Sequence, residues 1–545
     1  MLGLGSSGVF YYLISNLVKN IAKVIKIFLF LFPLTIVLGL WLIVNIHVTE
    51  IFVFFQAPII VYYLSVFSSF FTGGLILTHL IKVKSENISS IYFSDLLGAS
   101  LGGIFSILIL GFLTAENSIV LLGIISTIPA FILINEKGKY NLPLLLIIFV
   151  FLILFVSNAV RIEDSPTKGL FKLLEKDLDT RITMTKYNFI SRLDVTDKTS
   201  CAFWANGTKW IEKCPQAYNI YIDADATTKV LKDSSNLTFL ASDISNIGYY
   251  IEGSKDSALI IGSGGGIDAL TAYQFGFKNI TAVEINPDIV SFTDKINPNI
   301  YNRPTIQLFI DNGRSFLERS KVKYDFIQIS LTDSWAAVSN GAYGLTENYL
   351  YTVESFESYY DHLTENGTLS ITRWSLERSA IIDLAKEILF EKNKLPQNHI
   401  LVFSENNSQI DTILIKKNEF SIQDITRLDK KAEELEFQPQ NILMGLYNTP
   451  YGQDIPRDDR PFYFAYFALP VGLVDSVLFF SLSLVFLLIL LPLIFLRKIK
   501  ILDLKLLPLF FAFLGLGYMF LEIFLIQKFL IVFGAPSLSF SIILI

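Results

Sequence analysis

The residues best suited to chemistry in this 545-residue chain lie in SALIIGSGGGIDALTAYQFG. An apolar run ends in Gly262, Gly264, Gly265 and Gly266 and passes into a helical pattern. Glycines at such a corner let the backbone take positive φ and approach a ligand, and the N-terminus of the following helix offers unpaired N–H donors. About 20 residues on, at the usual distance for a ribose-binding acid, Glu284 ends the next apolar run in NITAVEINP, where a carboxylate can accept both hydroxyls of a ribose. The dinucleotide fingerprint asks for a third glycine, and Ile267 stands there, which argues against NAD. Asp311, in IDNGRSFL past a third apolar run, is placed to accept from an adenine amino group. The bland alternative for all three signals is an α/β domain with a glycine turn and surface acids.

A fourth run, YDFIQISL, leads to Asp333, at the strand end that faces the ligand crevice of open α/β sheets. Asp333 would orient or deprotonate an amine or hydroxyl nucleophile, or cap the turn that follows. Tyr343, Glu347 and Tyr349 follow as candidate walls of a substrate pocket, with core packing an equal explanation for the tyrosines.

These residues need a scaffold. Strands at SALIIG, NITAVEI, IQLFI, DFIQISL and GTLSITRW alternate with helical segments, which predicts a doubly wound parallel α/β sheet, Rossmann-like, over residues 256–467 with a C-terminal extension. Residues 161–255 read as a small strand-rich lead-in. Both flanks are different: 52% of the chain is hydrophobic and the mean hydropathy is +0.50, with Phe, Leu and Ile crowded into 1–160 and 468–545. Runs at about 26–46, 54–81, 93–114, 117–135, 142–160, 472–496 and 506–533 have the roughly 20 residues a helix needs to cross a bilayer. The expectation is a multi-pass integral membrane protein of the plasma or inner membrane, its terminal apolar segments reading as partial spans of a clipped chain. Asp95, Glu522 and Lys528 lie inside spans, as a polar path or as packing and interface residues. Gly98, Ala99, Gly102 and Gly103 beside Asp95 would let another helix come close.

Composition also excludes. A net charge of −6 leaves no basic footprint for nucleic acid. Two cysteines, Cys201 and Cys214, and four histidines give neither a disulfide framework nor a Cys- or His-rich metal site, so no metal is expected.

Together GSGGGIDAL, AVEINP, IDNGRSFL, YDFIQISLTDS, LTENYLYTVESFESYY and NGTLSITRW resemble the spermidine-synthase-like membrane proteins, in which an aminopropyltransferase-type domain of the S-adenosylmethionine-dependent methyltransferase superfamily is fused to transmembrane helices. SDLLGASLGG, DDRPFYFAYF at 458–467 and GYMFLEIFLIQKF share the likeness. The resemblance implies that the glycine loop and Glu284 bind the nucleoside of S-adenosylmethionine or its decarboxylated form, that Asp311 meets adenine and that the Asp333 loop gates the pocket. It implies aminopropyl or methyl transfer to a small-molecule or lipid acceptor, with a transporter or sensor that only binds a nucleoside or polyamine as the rival. Two departures stand out: Gly265 occupies the place of the loop aspartate that holds the aminopropyl amine, and Ser330-Leu-Thr-Asp333 replaces D-S-S-D.

Orientation divides two arguments. Lys19, Lys23, Lys26, Lys82, Lys84, Lys137, Lys139, Arg497, Lys498 and Lys500 fall on one side of the expected spans, and the short loops around His47–Glu50 and Glu116 carry no Lys or Arg. The positive-inside bias then puts residues 161–467 outside the cytoplasm, where Cys201 and Cys214 could bridge or stay as thiols. Against this, adenosyl sulfonium compounds are made in the cytoplasm.

Overall fold

In the computed structural model, residues 2–46, 57–133, 141–157, 168–205, 214–332, 347–405, 407–440, 455–466, 471–492, 507–533 and 536–544 are described. Seven apolar helices come first: α1 (Leu2–Leu17), α2 (Ile21–Asn45), α3 (Ala57–Val83), α4 (Ile88–Phe112), α5 (Ala115–Ser126), α6 (Ile128–Leu133) and α7 (Asn141–Ser157). Four stretches, Ile21–Ile43, Ile60–Val83, Ser85–Ser106 and Ala115–Leu133, are long and apolar enough to cross a membrane. Asn141–Ser157, Leu478–Leu490 and Phe510–Ile526 are shorter, so seven expected spans become four of full length among the described residues. Close approach between these helices uses glycines other than those expected. A Cβ on Gly3 would lie 2.9 Å from the Phe67 carbonyl oxygen and one on Gly123 2.6 Å from Val37, whereas at Gly98 and Gly102 it would meet nothing within 4 Å. Gly98, Gly102 and Asp95 are exposed, whereas Gly103 is buried and Ser106 lies 3.3 Å from Ser541 of the helix Pro536–Leu544.

After the short helix α8 (Gly169–Lys176) the lead-in forms an antiparallel meander: β1 (Ile182–Tyr187), β2 (Arg192–Cys201), β3 (Gln216–Ile222) and β4 (Ala226–Leu231). Cys201 and Cys214 are joined by a disulfide that closes the β2–β3 connection.

The main unit follows the expected alternation: β5 (Ser257–Ile261), α9 (Ile267–Gln274), β6 (Asn279–Glu284), α10 (Pro287–Ile296), β7 (Ile306–Ile310), α11 (Gly313–Arg319), β8 (Tyr324–Ser330), α12 (Val353–Asp361), β9 (Leu363–Trp374) and α13 (Arg378–Glu391). The five strands are parallel in the order β9-β8-β5-β6-β7. The chain continues through α14 (Pro396–His399), β10 (Ile400–Glu405), β11 (Ile410–Lys416), α15 (Ile422–Leu435) and β12 (Gln438–Pro439), which extend the sheet to eight strands with β11 antiparallel between β9 and β10.

Central strands are apolar on both faces because both are covered. Leu259, Ile327 and Ile329 pack with α12 and α13 on one side, and Ala258, Ile260 and Phe326 pack with Ala269 and Ala272 of α9 on the other. Residues 238–250, within the stretch read as lead-in, form two 3-10 turns whose Ile244 and Ile247 pack with Phe403 and Leu414 of the sheet. The meander lays Leu193, Ile220 and Val230 on Ile267 and Leu270 of α9 and Ile289 and Phe292 of α10. That packing brings β4 and the β1–β2 turn to the carboxyl edge of the sheet.

Residues 458–466 form a strap. Asp458 pairs with Arg314 at 3.3 Å and accepts from Thr352 Oγ1 at 2.7 Å, while Tyr463 is buried and donates to Glu377 at 3.0 Å. Among the described residues three further helices, α16 (Val471–Val485), α17 (Leu507–Phe533) and α18 (Pro536–Leu544), follow. Glu522 on α17 is half-buried, and Lys528 is exposed with its ammonium 5.8 Å from the Phe524 ring.

Candidate functional site

Strand order reverses between β5 and β8, because successive parallel strands run to one side from β5 through β7 and to the other from β8. Such a switch point leaves a crevice at the carboxyl edge, where open α/β sheets bind ligands. A cavity of about 300 Å³ lies there, lined by Gly262, Gly264, Glu284, Asp311, Ser330 and Thr332 among others.

The glycine loop leaves β5 through three residues with positive φ, Gly262 (72°), Gly264 (53°) and Gly266 (84°). Only Gly262 and Gly264 line the cavity. Gly266 ends the loop as the residue before α9, and a Cβ there would sit 2.2 Å from Ile300. Gly265 turns its back to the meander: its N–H donates to Thr228 Oγ1 at 2.8 Å, and a Cβ would lie 2.0 Å from the Lys229 carbonyl oxygen. The position that carries an aspartate in spermidine synthases by the resemblance above has no room for a side chain here.

Glu284 ends β6 only 5% exposed. One carboxylate oxygen accepts from the Gly264 N–H and the other from the Asn286 N–H, both at 2.8 Å. Burial raises its pKa, and the backbone N–H groups of Asn286, Gly264 and Ile285 oppose that rise. A carboxylate has about four acceptor positions, so a group oriented in this way still has capacity for hydroxyls. Asp311 also lines the cavity, but its Oδ1 accepts from the Asn312 N–H at 2.8 Å and its Oδ2 pairs with Arg319.

Asp333 and Tyr343 lie outside the described residues. Glu347 and Tyr349 do not line the cavity: the Tyr349 hydroxyl turns to Glu347 at 3.0 Å, and the neighbouring Leu350 forms the wall instead. Asp95, Glu522 and Lys528 sit on apolar helices and do not line this cavity.

Several lining groups come from the meander, which sequence reading treated only as scaffold. Thr228 of β4 clamps the loop, and Ser191 in the β1–β2 turn accepts from Asn286 Nδ2 at 2.9 Å. Trp204 closes one side, with the Lys229 ammonium 4.6 Å from its ring. Burial lowers the Lys229 pKa to about 8, opposed by nearby Asp243. The β-prone residues of DATTKVL were the available signal for β4, but its partner could not be read from spacing. Among the described residues no group of three or more His, Cys, Asp or Glu could hold a metal.

Fold and cavity define a doubly wound α/β domain with a ligand crevice at its switch point. Residues 238–391 match the family described as the spermine/spermidine synthase domain. The polyamine aminopropyltransferase of Buchnera aphidicola subsp. Acyrthosiphon pisum is 35% identical over 120 residues, 21% of this chain and 39% of that protein. Polyamine aminopropyltransferase 2 of Aquifex aeolicus is 27% identical over 118 residues, 21% of this chain and 22% of that protein. The chain thus spans about two fifths or less of the length of these curated relatives. Among solved structures, spermidine synthase from Thermotoga maritima is 15% identical with a TM-score of 0.33, over 54% of this chain and 87% of that one.

Proposed function

We propose that this chain is a membrane-embedded transferase that binds a sulfonium nucleoside, decarboxylated S-adenosylmethionine or S-adenosylmethionine, and moves its aminopropyl or methyl group to a small-molecule or lipid acceptor. The observation that carries this reading is Glu284, buried at the end of β6 and fixed by the main chain of the loop it faces, inside the residues that match the synthase family. The residues fit the nucleoside: Glu284 would hold the ribose, Gly262 and Gly264 would let it approach the backbone, and Asp311 with Asn312 would border the base. When bound, the nucleoside supplies an electrophilic carbon next to sulfur. The protein supplies position and a desolvated wall, so few reactive side chains are needed.

The crowding at Gly265 favours a second reading, in which the domain binds the nucleoside or a polyamine without transfer. Incubating the purified full chain with each sulfonium compound and a polyamine or lipid pool, followed by mass spectrometry, separates the cases. Methylthioadenosine marks aminopropyl transfer and S-adenosylhomocysteine marks methyl transfer. Binding without either product leaves the sensor or transporter reading.

We place the α/β domain on the face opposite the Lys- and Arg-rich loops. Tyr187 of β1 donates to Glu116, at the start of α5, at 3.3 Å, which ties the meander to the loop side that carries no Lys or Arg. The Cys201–Cys214 disulfide suits an oxidising compartment. Thiol labelling of intact cells with an impermeant reagent after mild reduction should modify both cysteines, and labelling only after lysis would refute the placement.

A further inference from the structure

The cavity follows the carboxyl edge of the sheet in the strand order β8-β5-β6-β7, and its two halves differ in chemistry. Both carboxylates among the described lining residues belong to one half: Glu284 ends β6 and Asp311 follows β7. The β8 half is lined by Ser330, Leu331, Thr332, Leu350 and Trp204, a set without an ionisable side chain. Its hydroxyls are engaged. Ser330 Oγ accepts from Gln328 Nε2 at 3.0 Å, and Thr332 Oγ1 lies 3.0 Å from the hydroxyl of buried Tyr351. Leu331 is held at a φ of 49°, which is strained for a bulky residue, and its N–H is fixed by the Thr372 carbonyl at 3.0 Å. Leu331 and Trp204 pack on the same core cluster, around Ile244 and Phe403.

The charged groups around this half are committed elsewhere. The Lys229 ammonium lies 4.6 Å from the Trp204 ring and donates to the Phe203 carbonyl, so the indole already carries a cation. Asp243 accepts from the Trp204 N–H at 2.6 Å and from the Ser245 N–H and hydroxyl. Asp243 and Asp268 are both buried, and neither lines the cavity.

We propose that the β8 half is the acceptor seat and that Trp204, Leu331 and Leu350 select an acceptor whose nucleophile is carried on an apolar body, against one with a second cationic end such as a diamine. The inference deepens the transferase reading above and rests on it. A nucleoside with its ribose on Glu284 and its base beside Asp311 and Asn312 directs its sulfonium arm toward β5 and β8, so the acceptor meets it there. In transfer to a neutral amine, the nitrogen lone pair forms the C–N bond as the C–S bond breaks. The C–S bonding pair leaves on sulfur as a neutral thioether, and the extra proton on nitrogen passes to solvent. The far end of the acceptor rests against the apolar wall. A methyl group gains there by leaving water, whereas an ammonium gives up its hydration and finds no counter-charge among the described lining residues of that half.

The test titrates the full chain, saturated with methylthioadenosine, with pentylamine against 1,4-diaminobutane and with hexylamine against 1,5-diaminopentane. Each diamine carries an ammonium where its partner carries a methyl group. Calorimetry should find the monoamine of each pair bound at least about tenfold more tightly. Trp204→Glu, which sets a carboxylate in the wall, should reverse the preference, and Leu350→Glu serves as the second variant if Trp204→Glu no longer binds methylthioadenosine. Equal or tighter binding of the diamines by the wild type overturns the inference alone. So does an unchanged preference in a variant that still binds methylthioadenosine, or a saturated wild type that binds neither amine. If methylthioadenosine itself does not bind, the nucleoside reading falls and takes the inference with it. Mass spectrometry of products formed with a sulfonium nucleoside then identifies the source of the acceptor. Modified pentylamine marks a soluble acceptor, and modified hexadecylamine in phosphatidylcholine vesicles marks one held in the bilayer. Either supports the apolar seat, and preferred modification of 1,4-diaminobutane overturns it.

Discussion

Two buried carboxyl groups flank the glycine loop, and their partners differ. On the β6 side, Glu284 is gripped by main-chain N–H groups at both oxygens. Behind the loop, Asp268 is buried in the first turn of α9, and its Oδ1 has no partner among the described residues. Burial raises both. Backbone donors cannot move away or change protonation, so they commit a carboxylate to a fixed acceptor role. An unpartnered oxygen carries no such commitment. Glu284 is thereby the holding wall of the site, whereas the surroundings of Asp268 favour its protonated form.

The largest expected effect breaks the holding wall at its hinge. Gly265→Asp restores the residue that the resemblance expects, yet its Cβ would collide with the Lys229 carbonyl oxygen, so the loop or β4 must shift. Overpacking of this kind costs about 1–3 kcal/mol and misplaces Gly264 from Glu284. Nucleoside binding measured by calorimetry should fall about 100-fold, and gained affinity would show that the crowding is absent.

Glu284→Ala comes next. Removing a charged acceptor should weaken sulfonium nucleoside binding by about 1.5–3 kcal/mol, and unchanged affinity would remove Glu284 from the ribose contact.

Asp268→Asn probes the other carboxyl through stability. The native carboxyl is raised from its ordinary 3.8 to about 7, so the folded state holds a proton more tightly than the unfolded chain. Stability therefore falls as pH rises from about 4 to 7 and stays lowered above that. Asparagine cannot ionise, so the variant should melt higher than wild type at pH 8, by about 1–2 kcal/mol after allowing for the partners its amide needs, and the gain should vanish by pH 5. An equal shift at both pH values would mean that Asp268 is not raised.

The smallest effect is expected at Tyr187→Phe, which removes the hydrogen bond to Glu116 at a cost of about 1 kcal/mol. Because main-chain groups orient Glu284, nucleoside affinity should change less than about twofold, in line with a bond that lies outside the wall.

Legibility followed the range of the interactions. The five parallel strands and the glycine turn are written in local apolar runs and in glycines at a corner, and each expected strand lies where the sequence placed it. The antiparallel β10–β12 extension escaped because it depends on pairing across the sheet edge. Thr228, Ser191 and Trp204 escaped for the same reason: their place at the crevice is fixed by the meander's packing on α9 and α10. Asp268 was visible as a letter in GSGGGIDAL, but nothing in a linear pattern says that it is buried with an oxygen lacking a partner among the described residues. The glycines of α4 show the converse, a motif that invites a neighbour and a face with none within 4 Å of Gly98 or Gly102 among the described residues.

The β1–β2 hairpin carries one more consequence. Three consecutive residues reach two elements: Lys186 to Asp288, Tyr187 to Glu116, and Asn188 to both Asn286 and Asp288. A short ribbon thus has one foot on α5 and another on the start of α10, next to Glu284, so a tilt of α5 would be passed on as a displacement at the rim of the crevice.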